Sequence, residues 1–443
     1  MVASTLGPAN STALERDASL INTERHDVRP GDIAVGVIIG RSTEFFDFFV
    51  YAIASVLVFP SLIFPDVSPV TGTLYSFAIF ALGFVARPFG AMAFLWLDRR
   101  HGRGVKLTVA MFLLGGSTAA MAFLPAHAQV GWIAAALLAL FRIGQGIAQG
   151  GTWDGLPALL SLNAPANRRG WFAMIPQLGA PIGLFVAAAV FAFLLNTLKM
   201  SDFLDWGWRY PFFVAFVINV VALFARLRLI STPEFQELFE SRELQPSPVI
   251  QMFRQEGRTV VLGAFAALAS FALFHLVTVF PLSWAVLNGG SALRFLSIEM
   301  VGAAVGLLAV AASGAIADRI GRRMLLGVSA AMIGAYSGFA PQLLDRGPAG
   351  EWTYMILGFV LLGLSFGQSS GATNGSFSPR HRYTGAGTTA TAAWFVGAAF
   401  APLAALFLAS RFGLISVGAY LLSGAACTLG ALALNRDWGR KAA

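Results

Sequence analysis

Apolar stretches long enough to cross a bilayer recur along almost the whole chain, and that feature limits what it can fold into more than any other. A spanning helix needs about 20 mostly apolar residues, because a rise of 1.5 Å per residue must cover roughly 30 Å of hydrocarbon. Twelve segments satisfy this: 33–60, 71–96, 106–124, 130–160, 171–195, 209–229, 259–287, 292–316, 324–343, 353–374, 384–409 and 413–434. Inside lipid every backbone amide must be paired within the protein, so long apolar runs of this kind are helices. Only 12% of the 443 residues are charged and 57% are apolar, whereas a soluble domain carries about 25% charged residues. Too few charges remain to cover a water-facing surface, which excludes a soluble enzyme, a disordered chain and a coiled coil. The 47 glycines would weaken soluble helices but suit membrane helices that pack through small faces. A single Cys, Cys427, excludes a disulfide framework and a Cys-based metal site.

The net charge of +8 is a matter of topology. With the N-terminus inside, most Lys and Arg fall in the even-numbered connections and the termini, among them Arg99, Arg100, Arg103, Lys106, Arg168, Arg169, Arg226, Arg228, Arg319, Arg322 and Arg323. Nucleic-acid binding is therefore not expected, and both termini are expected in the cytoplasm of a cell with a bacterial inner membrane. Residues 1–32 are polar and of mixed charge, without the basic start and short apolar core of a signal peptide, and read as a cytoplasmic tail. Residues 231–257, rich in both charge signs, read as a cytoplasmic linker between six-span halves at 33–230 and 258–435, with 436–443 as the C-terminal tail. Trp96, Trp132, Trp171, Trp206, Trp352 and Trp438 lie near span ends, as an interfacial belt requires.

An internal repeat crosses that linker. DRRHGR starts at Asp98 between spans two and three, and DRIGRR starts at Asp318 between spans eight and nine. These loops resemble the Gly-x-x-x-Asp-Arg-x-Gly-Arg-Arg signature of the major facilitator superfamily. The second copy is complete (Gly314, Asp318, Arg319, Gly321, Arg322, Arg323), while the first keeps Asp98, Arg99, Gly102 and Arg103 but has Phe94 in place of the leading Gly. Glu44, Asp47, Phe48 and Tyr51 in span one, Phe84, Arg87, Pro88 and Gly90 in span two, and the GWRYPFF and RYTG stretches are similar to the metabolite:proton symporter branch. The resemblance implies twelve membrane helices in two six-helix halves, alternating access to a site between them, and signature loops that gate. Two departures stand out. The usual span-four Gly-Gly-Glu-Trp is Gly150-Gly151-Thr152-Trp153 here, and the acid usually found shortly before RYTG is absent, since residues 371–381 hold none. Asp154 lies about 160° around the helix from Thr152, so it is no simple replacement for the missing Glu.

Charged groups inside a span are costly and tend to face a cavity or one another. Arg41, Glu44, Asp47, Tyr51 and Ser55 recur at spacings of three and four on span one, within about a third of its circumference. Glu44 and Asp47 are candidates to carry the coupling proton, the competing reading being a structural Arg41–Glu44 pair. Arg142, Gln145, Gln149 and Trp153 line one face of span four. Arg142 is the candidate for a substrate carboxylate, or for a pair with Glu44 or Asp47. Asp154 reads as gating or structural more than as the coupling acid. In the second half His275 and Glu299 are the titratable candidates, each with a structural alternative: a local hydrogen bond for His275, a pair with Arg294 for Glu299. Gln177, Gln368, Asn374, Thr388 and Trp394 are uncharged cavity candidates, for which helix packing is the equal alternative.

No phosphate loop and no His-Glu-x-x-His motif occurs, so no cofactor, bound metal or catalytic centre is expected. The expectation is a proton-coupled symporter of a small polar metabolite, a carboxylate or zwitterion, monomeric because each chain holds both halves of its own pathway. A proton-driven exporter and a non-transporting membrane sensor remain as alternatives.

Overall fold

The structure, a computed structural model, describes residues 30–152, 160, 164–230, 246–374 and 377–435. Among them all regular structure is helical, and twelve long helical segments follow one another: α1 Pro30–Leu57, α2 Pro69–His101, α3 Arg103–Ala122, α4 Ile133–Gly151, α5 Arg169–Thr197, α6 Tyr210–Ile230, α7 Val249–Leu287, α8 Ala292–Ile320, α9 Arg322–Ser337, α10 Gly347–Gly371, α11 Arg382–Phe412 and α12 Leu414–Leu434. Ten of these segments contain a stretch long and apolar enough to cross a membrane. The other two are α1, whose middle holds Arg41, Glu44 and Asp47, and α9, which has 16 residues.

Several breaks have visible causes. α5 tightens into a 3-10 turn at Ile175–Leu178 around Pro176. α7 breaks at Val279, two residues before Pro281, and α11 breaks around Phe400, before Pro402. A proline removes one helical hydrogen bond and crowds the preceding turn. The repeated signature loops share a different device. Gly102 (φ 87°) separates α2 from α3, and Gly321 (φ 85°) separates α8 from α9. That left-handed backbone is what turns each helix into the next within one residue, and glycine adopts it without strain.

Packing follows the two halves. α2 lies against α4, α1 against α5 and α3 against α6; α8 lies against α10, α9 against α12 and α7 against α11. The halves meet chiefly where α5 crosses α8, and also where α2 approaches α11. Outward faces carry exposed apolar side chains such as Phe89, Phe112, Leu308 and Ile415, and the belt tryptophans Trp96, Trp132, Trp171, Trp206 and Trp352 are exposed as well. A surface of that kind is solvated by lipid.

The α2–α4 contact is a glycine seam. A Cβ at Gly146 would sit 2.1 Å from the Gly83 carbonyl oxygen, and one at Gly90 would sit 2.1 Å from that of Ile147. Backbones this close exclude any side chain. Gly146→Ala is expected to force the helices apart and cost about 1–3 kcal/mol, the range of core overpacking. Melting of the purified protein in detergent should fall by several degrees, while Gly116→Ala, with nothing among the described residues within 4 Å of its Cβ, should leave it unchanged.

Candidate functional site

Between the halves lies a cavity of about 90 Å³. From the first half it is lined by Arg41 and Glu44 of α1, Arg87 of α2, Lys106 of α3, Gln149 of α4, Gln177 of α5 and Arg226 of α6; the second half supplies Phe271, Phe366, Ser369, Tyr383, Thr388 and Trp394. Of the residues singled out from sequence, Arg41, Glu44, Gln149, Gln177, Thr388 and Trp394 therefore reach the cavity. Trp153 and Asp154 lie outside the described residues, as does the side chain of Asn374.

Glu44 accepts hydrogen bonds from both Arg41 and Arg226. Arg226 also donates to the Thr152 carbonyl and the Gly40 carbonyl, each at 3.1 Å. Far from being a loop residue, Arg226 is 3% exposed and ties α6 to α1 and to the end of α4. Glu44 is thus held in an ion-pair cluster, wider than the Arg41 pair considered from spacing.

Asp47, one turn further along α1, is placed differently. It is 1% exposed, and its Oδ1 accepts from Thr118 Oγ1 at 2.7 Å while Oδ2 has no hydrogen-bond partner among the described residues. The Thr118 hydroxyl is also 2.9 Å from the Leu114 carbonyl and accepts from Gln145 Nε2 at 2.8 Å. Gln145 Oε1 in turn accepts from Arg142 at 3.0 Å. A chain of hydrogen bonds thus runs from Asp47 through Thr118 and Gln145 to Arg142. Because a hydroxyl has one proton and two lone pairs, Thr118 can serve either state of Asp47. It donates to an ionised carboxylate, or it turns to Leu114 and accepts from a protonated one.

Arg142 does not line the cavity, and it pairs with neither Glu44 nor Asp47. It is 1% exposed, donates to the Phe80 carbonyl at 3.2 Å and lies 4.2 Å from the Tyr51 ring centroid and 4.6 Å from that of Phe80. Gly83 makes room for it: a Cβ there would lie 2.7 Å from its Nε. Tyr51 and Gln145 are buried beside it and away from the cavity. The expectation that Arg142 meets a substrate carboxylate directly, with Gln145 beside it, does not match this placement.

His275 is fully buried in an aromatic cage, stacked on Phe48 at 5.5 Å with Phe80, Phe84 and Phe274 at its edges. Neither ring nitrogen has a partner among the described residues, so the local hydrogen bond expected for a lone histidine is not present. The cage joins α7 to α1 and α2 and closes the cavity at the end away from the signature loops. Glu299 is also buried, with no hydrogen bond from described residues; Arg294 pairs with Glu351 instead, at 2.7 Å.

The signature loops join the two halves at the other end. Asp318 accepts from the backbone N–H groups of Gly170 (2.6 Å) and Trp171 (3.1 Å), so an acid of the second half caps the start of α5 in the first. Gln368 belongs here and not to the cavity wall: it donates to the Gly170 carbonyl (3.1 Å) and to Ser313 (3.2 Å). Arg322 bonds the Gly371 and Arg169 carbonyls, whereas Arg323 bonds Leu432 within its own half. Arg99 and Arg319 are exposed. At the related corner Asp98 is buried with Lys106 (3.0 Å) and Arg103 (3.9 Å), and Tyr383 of α11 donates to it at 3.2 Å. Gly314 lets α5 come close, since a Cβ there would meet Trp171 at 3.0 Å. Phe94, at the matching position of the first copy, instead lines the cavity.

A hydrogen bond to a charged group contributes about 1.5–3 kcal/mol. Asp318→Asn is therefore expected to loosen the α5–α8 corner, read as faster thiol labelling of Ser370→Cys in a Cys427→Ser background. Unchanged labelling would mean that the cap does not hold this end shut.

Arg87, Lys106, Arg226 and Tyr383 were not among the candidates drawn from intramembrane charge. From sequence Arg87 reads as an arginine within span two and as part of a motif, and Lys106 and Arg226 read as loop charges. For Arg87 and Arg226 the available signal was position, since each lies at least a turn inside a helix end.

Comparisons with known proteins agree with this architecture. A family model described as sugar (and other) transporter matches residues 33–259. The inner membrane metabolite transport protein YhjE of Escherichia coli (strain K12) is 36% identical over 415 residues, 91% of this chain and 94% of its own length. The shikimate transporter of the same organism is 30% identical over 94% of this chain and 97% of its own. Among solved structures, a D-xylose–proton symporter superposes with a TM-score of 0.69 at 17% identity, covering 91% of this chain and 97% of that one, which speaks to fold alone. All three are transporters and none is an enzyme. The chain is accordingly a multi-pass membrane protein that belongs to the sugar (and other) transporter family.

Proposed function

We propose that the protein is a proton-coupled symporter that takes up a small polar metabolite, an organic acid or zwitterion, by alternating access to the cavity between its halves. The signature-loop end and both termini face the cytoplasm, the halves are residues 33–230 and 258–435, and one chain is the working unit. The observation that carries the reading is Asp47: a buried carboxyl without a cation partner among the described residues, on a hydroxyl that suits both of its protonation states. An ionised carboxylate left so is costly in hydrocarbon, and a proton removes that cost. Arg142 acts through Gln145 and Thr118, holding the relay in place. Relatives named for shikimate, alpha-ketoglutarate and proline/betaine support a polar solute.

In the cycle, a proton on Asp47 and a solute in the cavity together favour the closed arrangement. The Asp318 and Asp98 contacts then open toward the cytoplasm. Only the doubly loaded or the empty protein reorients, and differential stability of those states is all that coupling requires. The test is uptake of labelled carboxylates, amino acids and betaines into proteoliposomes with an acid-outside gradient. Accumulation of one class that collapses with a protonophore supports the reading. Accumulation only under the reverse gradient points to an exporter, and binding without movement to a sensor.

A further inference from the structure

The two walls of the cavity differ in chemistry, and the charge on one of them is not balanced among the described residues. Glu44 is shared by Arg41 and Arg226, and Asp98 serves Lys106 and Arg103. Arg87 is left over. It lines the cavity, its buried Nε has no hydrogen-bond partner among the described residues, and the nearby acid Glu44 is already engaged twice. Its backbone is rigidly placed, because a Cβ at Gly150 of α4 would lie 2.5 Å from the Arg87 carbonyl oxygen. The opposite wall presents Phe271, Phe366 and Trp394, with the Trp394 ring 4.9 Å from Phe271 and 6.0 Å from Phe366.

We infer that Arg87, and not Arg142, holds the acid group of the transported solute, and that the solute is a net anion whose ring or other apolar body lies against Phe271, Phe366 and Trp394. A guanidinium on a cavity wall offers a carboxylate two parallel hydrogen bonds and gains a counter-charge by taking it. An aromatic face also attracts quaternary ammonium, but Arg87 on the facing wall, with no hydrogen-bonded acid among the described residues, repels a second positive charge. The solute therefore bridges the halves, acid group to α2 and body to α7, α10 and α11, which is how its presence draws them together. This inference rests on the transport reading for its meaning, though not for its test.

The test is thermal stabilisation of the purified protein in detergent, where no gradient exists. The probes are benzoate, cyclohexanecarboxylate, succinate, benzamide, benzyl alcohol and glycine betaine. Benzoate and cyclohexanecarboxylate are expected to stabilise, and benzamide and benzyl alcohol to have no effect. Arg87→Gln should weaken benzoate binding by about 10- to 100-fold, the worth of a charge-assisted hydrogen bond. Arg87→Lys, which keeps the charge and guards against misfolding, should weaken it less. Trp394→Leu should erase the preference for benzoate over succinate. The inference is overturned if benzamide matches benzoate, if betaine binds in preference to every anion, if no carboxylate stabilises the wild type, or if monodisperse Arg87→Gln binds benzoate as the wild type does. Anion binding through Arg87 with no proton movement would sink the symport reading and leave this one standing. Proton-coupled uptake that survives Arg87→Gln would do the reverse.

Discussion

Asp47→Asn is expected to leave the fold intact and abolish accumulation. The amide keeps the size of the carboxyl and can still bond Thr118, but it cannot bind and release a proton. With one proton per solute, each unit of pH difference supports about tenfold accumulation, since a factor of ten is 1.4 kcal/mol. Wild-type vesicles at an acid-outside gradient of one unit should approach that ratio, and variant vesicles should stay near equality. Exchange of labelled for unlabelled solute should continue, because a permanently neutral residue 47 mimics the loaded state and the loaded protein reorients. Thr118→Val should behave as a weaker version: Asp47 keeps its place but loses the hydroxyl that serves both protonation states. Accumulation by Asp47→Asn equal to wild type would remove Asp47 from the coupling site.

Glu44→Gln should do something different in kind. Glu44 is the shared partner of Arg41 and Arg226, whose side chains are 23% and 4% exposed. Removing one member of a buried pair leaves an uncompensated charge and costs about 3–5 kcal/mol. The expected phenotype is a large drop in melting temperature and in yield. The double variant Glu44→Gln with Arg226→Gln should recover part of the loss, since it removes the stranded charge as well, and the cycle reads the coupling between the two residues directly. If Glu44→Gln instead melts like wild type and alters only the pH dependence of uptake, then Glu44 is the proton carrier and the cluster is incidental.

Much of the architecture was legible in the sequence because lipid makes strong demands. Length and charge alone separate spans from connections, and the Asp98 and Asp318 loops announce the repeat. Asp47 was legible as an intramembrane acid, and its distinction from Glu44 was not, because the difference lies in Arg226, 182 residues away. Arg142 shows the same limit. Its span and face were visible, but which way that face points depends on how tightly α4 lies on α2, and the Gly83–Gly146 seam turns it into the first half instead of the cavity. Gln368 was legible as a polar residue in a span, yet its work is to bond the start of α5, on the other half of the molecule. His275 breaks the local expectation altogether, since packing between the halves surrounds it with rings before any backbone partner is reached. Contacts across the two halves are the part that periodicity along one helix cannot carry.

Symport requires that solute entry bring protons with it. Purified protein in vesicles that enclose a pH-sensitive dye, with equal pH on both sides, gives that answer when a transported organic anion is added outside. Acidification of the interior that needs the solute and is lost in Asp47→Asn is the expected result. Solute entry with no pH change, or with alkalinisation, would contradict it.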